Sequence, residues 1–119
     1  SLMDSIHHLR NMVIMAAVDG EFTEREITFL VDRSRQLGLD VDDLEDSIAY
    51  ALTEDPSISL PQDPQELVDI FKDLVRIMAA DGKLSDLEKR LFSVAAAKGG
   101  LDTDEINAIV DSVLPKKPQ

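Results

Sequence analysis

Two stretches of the chain share one pattern: Asp19-Gly20-Glu21-Phe22-Thr23-Glu24-Arg25-Glu26 and, 62 residues later, Asp81-Gly82-Lys83-Leu84-Ser85-Asp86-Leu87-Glu88. Both read Asp-Gly-x-apolar-[Ser/Thr]-x-x-Glu. Each follows an Ala-rich apolar run, residues 15–18 and 77–80, and precedes a periodic apolar segment. Glycine can take the positive φ that ends a helix, and Ser or Thr with Glu three residues on is a capping box that starts the next one. Each stretch therefore reads as a stop and a start between two helices. Held at the same offset without a gap, residues 15–52 and 77–114 share Ala17/Ala79, Asp19/Asp81, Gly20/Gly82, Glu26/Glu88, Gly38/Gly100, Leu39/Leu101, Asp40/Asp102, Asp42/Asp104 and Leu52/Leu114. Turn and acidic residues dominate this set, so the repeat preserves punctuation and charge more than core volume.

Working outward, the apolar steps predict six helices. Ile6, Leu9, Met12, Val13, Ala16 and Ala17 recur every three or four residues, with Asp4 as a cap and Gly20 as the stop. Thr23 and Glu26 open the second helix, whose inward face is Ile27, Leu30, Val31 and Leu37, and Gly38 closes it. Asp40 caps a third, with Leu44, Ile48, Ala51 and Leu52 inward, to about Glu54. Residues 55–62, with two prolines, form a linker. Asp63, Pro64 and Glu66 then give an N-cap, a first-turn proline and an acid at the third position before Leu67, Ile70, Phe71, Leu74, Val75 and Met78. The fifth helix opens at Ser85 and buries Leu91, Phe92, Val94, Ala95 and Ala96, ending at Gly99-Gly100. Asp102 and Glu105 open the sixth, with Ile106, Ile109, Val110, Val113 and Leu114 inward, and Pro115 stops it before a basic tail expected to fray. No segment alternates as a strand would. The expected fold is all-α: one domain, 1–119, of two three-helix units, 4–54 and 63–114, related by a pseudo-twofold axis.

Composition narrows the function. The chain has 119 residues, 44% hydrophobic and 30% charged, with a formal charge of -12 and a pI near 4.3. Such a field repels phosphate backbones and anionic headgroups, so nucleic acid is not an expected partner. The Arg33/Arg35 pair and Lys116/Lys117 read as solvated charges. The absence of cysteine removes disulfides, thiolate catalysis and Cys-based zinc sites. No apolar run reaches the roughly 20 residues that span a bilayer. The expected location is the cytoplasm, with no membrane insertion.

The candidate chemistry lies in the repeated turns. Asp-Gly-x-apolar-x-x-x-Glu matches the second half of an EF-hand loop, but Met15 and Ala17, or Ile77 and Ala79, stand where the first ligands belong. A conventional EF-hand is not expected. Asp19 and Asp81 sit at helix C-termini, where the macrodipole disfavours an anion by about 0.3–1 kcal/mol. Brought together by a pseudo-twofold, Asp19, Glu26, Asp81 and Glu88 would form a four-carboxylate cluster that needs a cation or a proton, and oxygen ligands favour calcium, magnesium or manganese. The competing expectation is that all four serve only turns and caps.

These paired turns, each followed by a Gly-Leu-x turn in an acidic helical domain, resemble the TerB-like tellurite-resistance family over nearly the whole chain. The resemblance implies an all-α module of bacterial stress responses, free-standing or fused to partners such as DnaJ-type co-chaperones. It points to Asp19, Glu26, Asp81 and Glu88 as metal ligands. The chain contains no J-domain signature.

Other motifs carry less. His7 and His8 are adjacent on a helix, about 100° apart, and cannot face one ion together; they read as surface or satisfied core residues. Asp46-Ser47-Ile48 has the look of an acyl-carrier site, but Ser47 lies inside a helix rather than at its start. No Cys nucleophile, phosphate-cradling glycine loop or Ser-His-Asp set points to an enzyme. The expectation is a non-enzymatic cation-binding module or, alternatively, a protein-interaction module with an unspecified protein partner.

Overall fold

The computed structural model describes residues 1–80, 82 and 84–115. Six helices follow in order: α1 (Leu2–Ala17), α2 (Glu24–Gln36), α3 (Val41–Ala51), α4 (Pro64–Ala79), α5 (Asp86–Lys98) and α6 (Thr103–Val113). No strand occurs among the described residues, and none of the helices is long and apolar enough to cross a membrane. The bounds of α4, α5 and α6 reproduce those of α1, α2 and α3 at the offset of the sequence repeat, because the same caps and glycines recur at that offset.

Every helix starts on a side chain that accepts an orphan amide of its first turn. Thr23 and Ser85 do so for Glu26 and Glu88, Asp40 and Asp102 for Asp43 and Glu105, and Asp63 for Glu66. α1 differs from expectation: Ser1 is its cap, and Asp4 is the N3 acid that reaches back, so the helix opens before Ser5. α3 stops at Ala51 rather than Glu54, and Leu52 becomes its C-cap. Between the first helices of each unit the turns match. Gly20 N donates to Ala17 O at 2.9 Å and Gly82 N to Ala79 O at 3.1 Å. Their φ values of 85° and 76° lie where an L side chain is strained.

α1 and α4 make the centre. Leu9, Met12, Val13 and Met15 of α1 and Ile70, Phe71, Leu74 and Ile77 of α4 are fully buried. α1 packs on α3 as α4 packs on α6, and α1 and α4 pack on each other, so both halves share one core. The radius of gyration, 13.6 Å, is that of a single compact chain of this length, about 13.5 Å. Phe92 brings α5 to the core by meeting Phe71 edge to face, with centroids 5.5 Å apart at 84°. The linker is held too: Asn11, buried on α1, donates from Nδ2 to Ser59 O at 2.8 Å and accepts from Ser59 N at 2.9 Å. Ile58 and Leu60 pack against the core on either side of it.

Four residues expected to face inward do not. Ile27, Leu52, Val94 and Leu114 are exposed. In the first turn of α2 the buried place is taken by Glu26, one position earlier. Leu52 and Leu114 lie just beyond the last turns that reach the core. On α5 the buried side runs through Phe92, Ala95 and Ala96, and Val94, about 100° away from Ala95 around the helix, faces outward. The basic tail expected to fray, from Lys116, lies outside the described residues.

Phe71→Ala is expected to lower stability by about 3–5 kcal/mol, the cost of a large buried cavity. Urea unfolding of the variant against the parent chain checks this; a loss under 1 kcal/mol would show that α4 is not the centre of the core.

Candidate functional site

The two repeated turns place their glutamates alike. Thr23 N donates to Glu26 Oε1 at 2.8 Å while Glu26 N donates to Thr23 Oγ1 at 3.1 Å. The matching pair at α5 is Ser85 N to Glu88 Oε1 at 3.2 Å and Glu88 N to Ser85 Oγ at 3.1 Å. These boxes turn each carboxylate back over its own helix start. Both are buried, Glu26 at 4% and Glu88 at 3% exposure.

Capping alone does not require that burial. α1, α3 and α6 also carry capping boxes, and their N3 acids Asp4 and Glu105 are exposed and Asp43 half-buried. Taking a carboxylate out of water is costly unless charge or hydrogen bonds compensate it. A buried carboxylate stands at the same position in both repeats and at none of the other boxes.

Asp19 behaves differently. It is exposed, and its Oδ1 accepts from Glu21 N at 3.1 Å, an Asx turn that closes the loop after α1. Asp81, its repeat partner, lies outside the described residues. Among the described residues no group of three or more His, Asp or Glu side chains converges as the ligands of an ion would. Asp19, Glu26 and Glu88 are therefore not a ligand set by themselves.

A third buried carboxylate was not expected. Asp73, in the middle of α4, is fully buried. Its Oδ2 accepts from His8 Nε2 at 2.6 Å and from Arg33 Nε at 2.8 Å, and its Oδ1 accepts from Arg76 Nη1 at 2.8 Å. An ionised carboxylate only accepts, so Nε2 of His8 carries the proton. Burial by itself would raise the Asp73 pKa, but the hydrogen bonds from His8, Arg33 and Arg76 outweigh it and hold the group at about 2. The cluster ties α1, α2 and α4 to one point. His8 is the satisfied core histidine that the sequence allowed, whereas Arg33, expected to be a solvated charge, is a structural partner of a core anion. Both line a polar cleft of about 370 Å³ between the start of α1, the end of α2 and the linker, shared with His7, Asp4 and Glu66.

One sequence signal for Asp73 exists. It falls between Ile70 and Ile77 on the inward side of α4, and at the repeat offset it corresponds to Asn11, the buried polar residue of α1.

No family model matches the chain, and no curated protein or solved structure matches it either.

Asp73→Asn is expected to cost about 3 kcal/mol at pH 7, because it leaves Arg33 and Arg76 without their anion. The pH dependence follows from the lowered pKa. Asp73 adds stability that is fully present above the unfolded value of about 3.9 and is lost as pH falls toward about 2. The gap between parent and variant should shrink by about 2 kcal/mol between pH 7 and pH 2. Urea unfolding of both proteins across this range checks it, and a gap independent of pH would refute the ionised cluster.

Proposed function

We propose that the chain is a non-enzymatic, cytoplasmic TerB-like module of a stress response that binds a hard divalent cation at its two repeated turns. The observation that carries the reading is the matched burial of Glu26 and Glu88, set against the exposed or half-exposed N3 acids of the other capping boxes. Glu26, Glu88, Asp19 and Asp81 would hold the ion. Calcium, magnesium or manganese takes oxygen ligands of this kind, with main-chain carbonyls or water completing the shell. The proposal requires Asp81, since the other three carboxylates do not make a set alone. A bound ion would couple cation level to the stability of the packing between helices. With a charge of -12, nucleic acid is not among the proposed partners.

A second reading, a protein-interaction module in which the turns are helix caps alone, is favoured by one observation: apolar residues at the start and middle of α5 are half exposed.

The cation reading is tested by thermal unfolding after chelation, with calcium, magnesium, manganese and zinc added separately at fixed ionic strength. An ion that binds only the folded chain at 100 times its Kd adds about 2.7 kcal/mol, a midpoint rise of about 10 °C for this length. Glu26→Gln combined with Glu88→Gln should abolish the rise and leave the fold, because glutamine still accepts the capping amide. If no ion moves the midpoint beyond a salt control, the turns are capping structure and the cation reading fails.

A further inference from the structure

Leu87, Leu91 and Val94 succeed one another at four- and three-residue steps along α5, and Leu84 precedes them in the turn. Leu84, Leu87 and Val94 are 49%, 48% and 48% exposed, and Leu91 is half-buried at the core edge. The side that holds α5 in place is another one, through Glu88, Phe92, Ala95 and Ala96.

The repeat supplies an internal control. At the positions of Leu87, Leu91 and Val94, α2 carries Arg25, Phe29 and Asp32, and Arg25 and Asp32 are exposed. A helix of the same length with the same capping box therefore stands in this chain with charges at two of the four corresponding positions, while Phe22 and Phe29, at those of Leu84 and Leu91, pack against the core. The exposed Leu87 and Val94 of α5 are not needed to close the core. Single exposed apolar residues are ordinary on any surface, whereas a continuous stripe of them marks a contact face.

Charge indicates what fits there. Of α1 to α6, α5 alone has more basic than acidic residues, although the whole chain is strongly acidic. Arg90 stands three residues after Leu87 and Lys98 four after Val94, so both border the stripe. Both are exposed, and among the described residues neither is ion-paired. At physiological ionic strength charges more than about 8 Å away are largely screened. With Asp86 the exposed acid on α5 and Lys89, Arg90 and Lys98 its exposed bases, the helix that carries the stripe has a net positive exposed charge, which sets the local preference.

We propose that α5 is a docking face for an acidic amphipathic helix of a partner protein. Its apolar anchors would lie along Leu84, Leu87, Leu91 and Val94, and its Asp or Glu residues beside Arg90 and Lys98. This rests on the interaction reading and names the partner's chemistry; it does not depend on cation binding.

The test is fluorescence anisotropy of two labelled synthetic amphipathic helices with the same leucine face, one flanked by Glu and the other by Lys, titrated with the full chain at physiological salt. The Glu-flanked helix should bind about fivefold to tenfold tighter, as two rim charge pairs allow. Leu87→Gln with Val94→Gln should weaken it about tenfold or more without loss of helical circular dichroism, since both sites are half exposed. Arg90→Gln with Lys98→Gln should erase the preference but keep binding. Equal binding of both helices, lost in Leu87→Gln with Val94→Gln, would overturn the acidic partner while the interaction reading stood. Binding of neither would overturn the docking face together with the interaction reading at α5. A dimer in sedimentation that dissociates in Leu87→Gln with Val94→Gln would place a second copy on the stripe and overturn the proposal.

Discussion

A carboxylate with no access to water sits at the junction of three helices, and the packing of the first half of the fold depends on how it is satisfied. Asp73 would be a liability in α4 if it were alone. Three donors from three helices surround it, at 2.6 to 2.8 Å. Because the hydrogen bonds are directional, they set more than proximity: α2 must present Arg33, and α1 must present His8, at one place along α4. Apolar contacts between α1 and α4 supply most of the burial but tolerate sliding, whereas a buried ionic cluster has one register.

The same position in the other repeat unit carries Asn11, and the comparison shows how one scaffold uses a polar core position in two ways. In α4 the residue is charged and collects donors from α1, α2 and its own helix. In α1 it is neutral and takes both the N–H and the C=O of Ser59, so that the irregular linker is fastened to the helix by its own backbone groups. One polar residue thus orients a helix, and its counterpart anchors the connection between the units.

Charge is distributed with similar economy around the turns. Asp19 closes its loop from the surface, at little cost in a solvated place, while Glu26 and Glu88 carry their negative charge inward. A buried carboxylate at a helix N-terminus is favoured by the dipole and by the capping amide. That local help is equally open to Asp4 and Glu105, which remain outside. The difference lies in what the helix start faces, and this depends on neighbouring elements rather than on the cap. The apolar surface is unequal too: where α5 exposes Leu87 and Val94, α2 carries Arg25 and Asp32.

Local chemistry was legible in the sequence. Thr23, Ser85, Asp63 and Asp102 cap the helices they were expected to cap, Gly20 and Gly82 take the positive φ their turns need, and the apolar period yields six helices and no strand. These features depend on residues within four positions of one another, so the chain encodes them without reference to its fold. The burial of Glu26 and Glu88, the Asp73 cluster and the exposure of Val94 and Leu52 were decided only in three dimensions. Arg33 and Asp73 are 40 residues apart, and His8 and Asp73 are 65 apart; helix periodicity tells which side of its own helix a residue occupies, not what stands opposite. The sequence by itself determined where each helix begins, ends and turns its apolar side. Only the packing of α1, α2 and α4 decided which charges met, because the energy of a buried ion depends on partners that arrive from other parts of the chain.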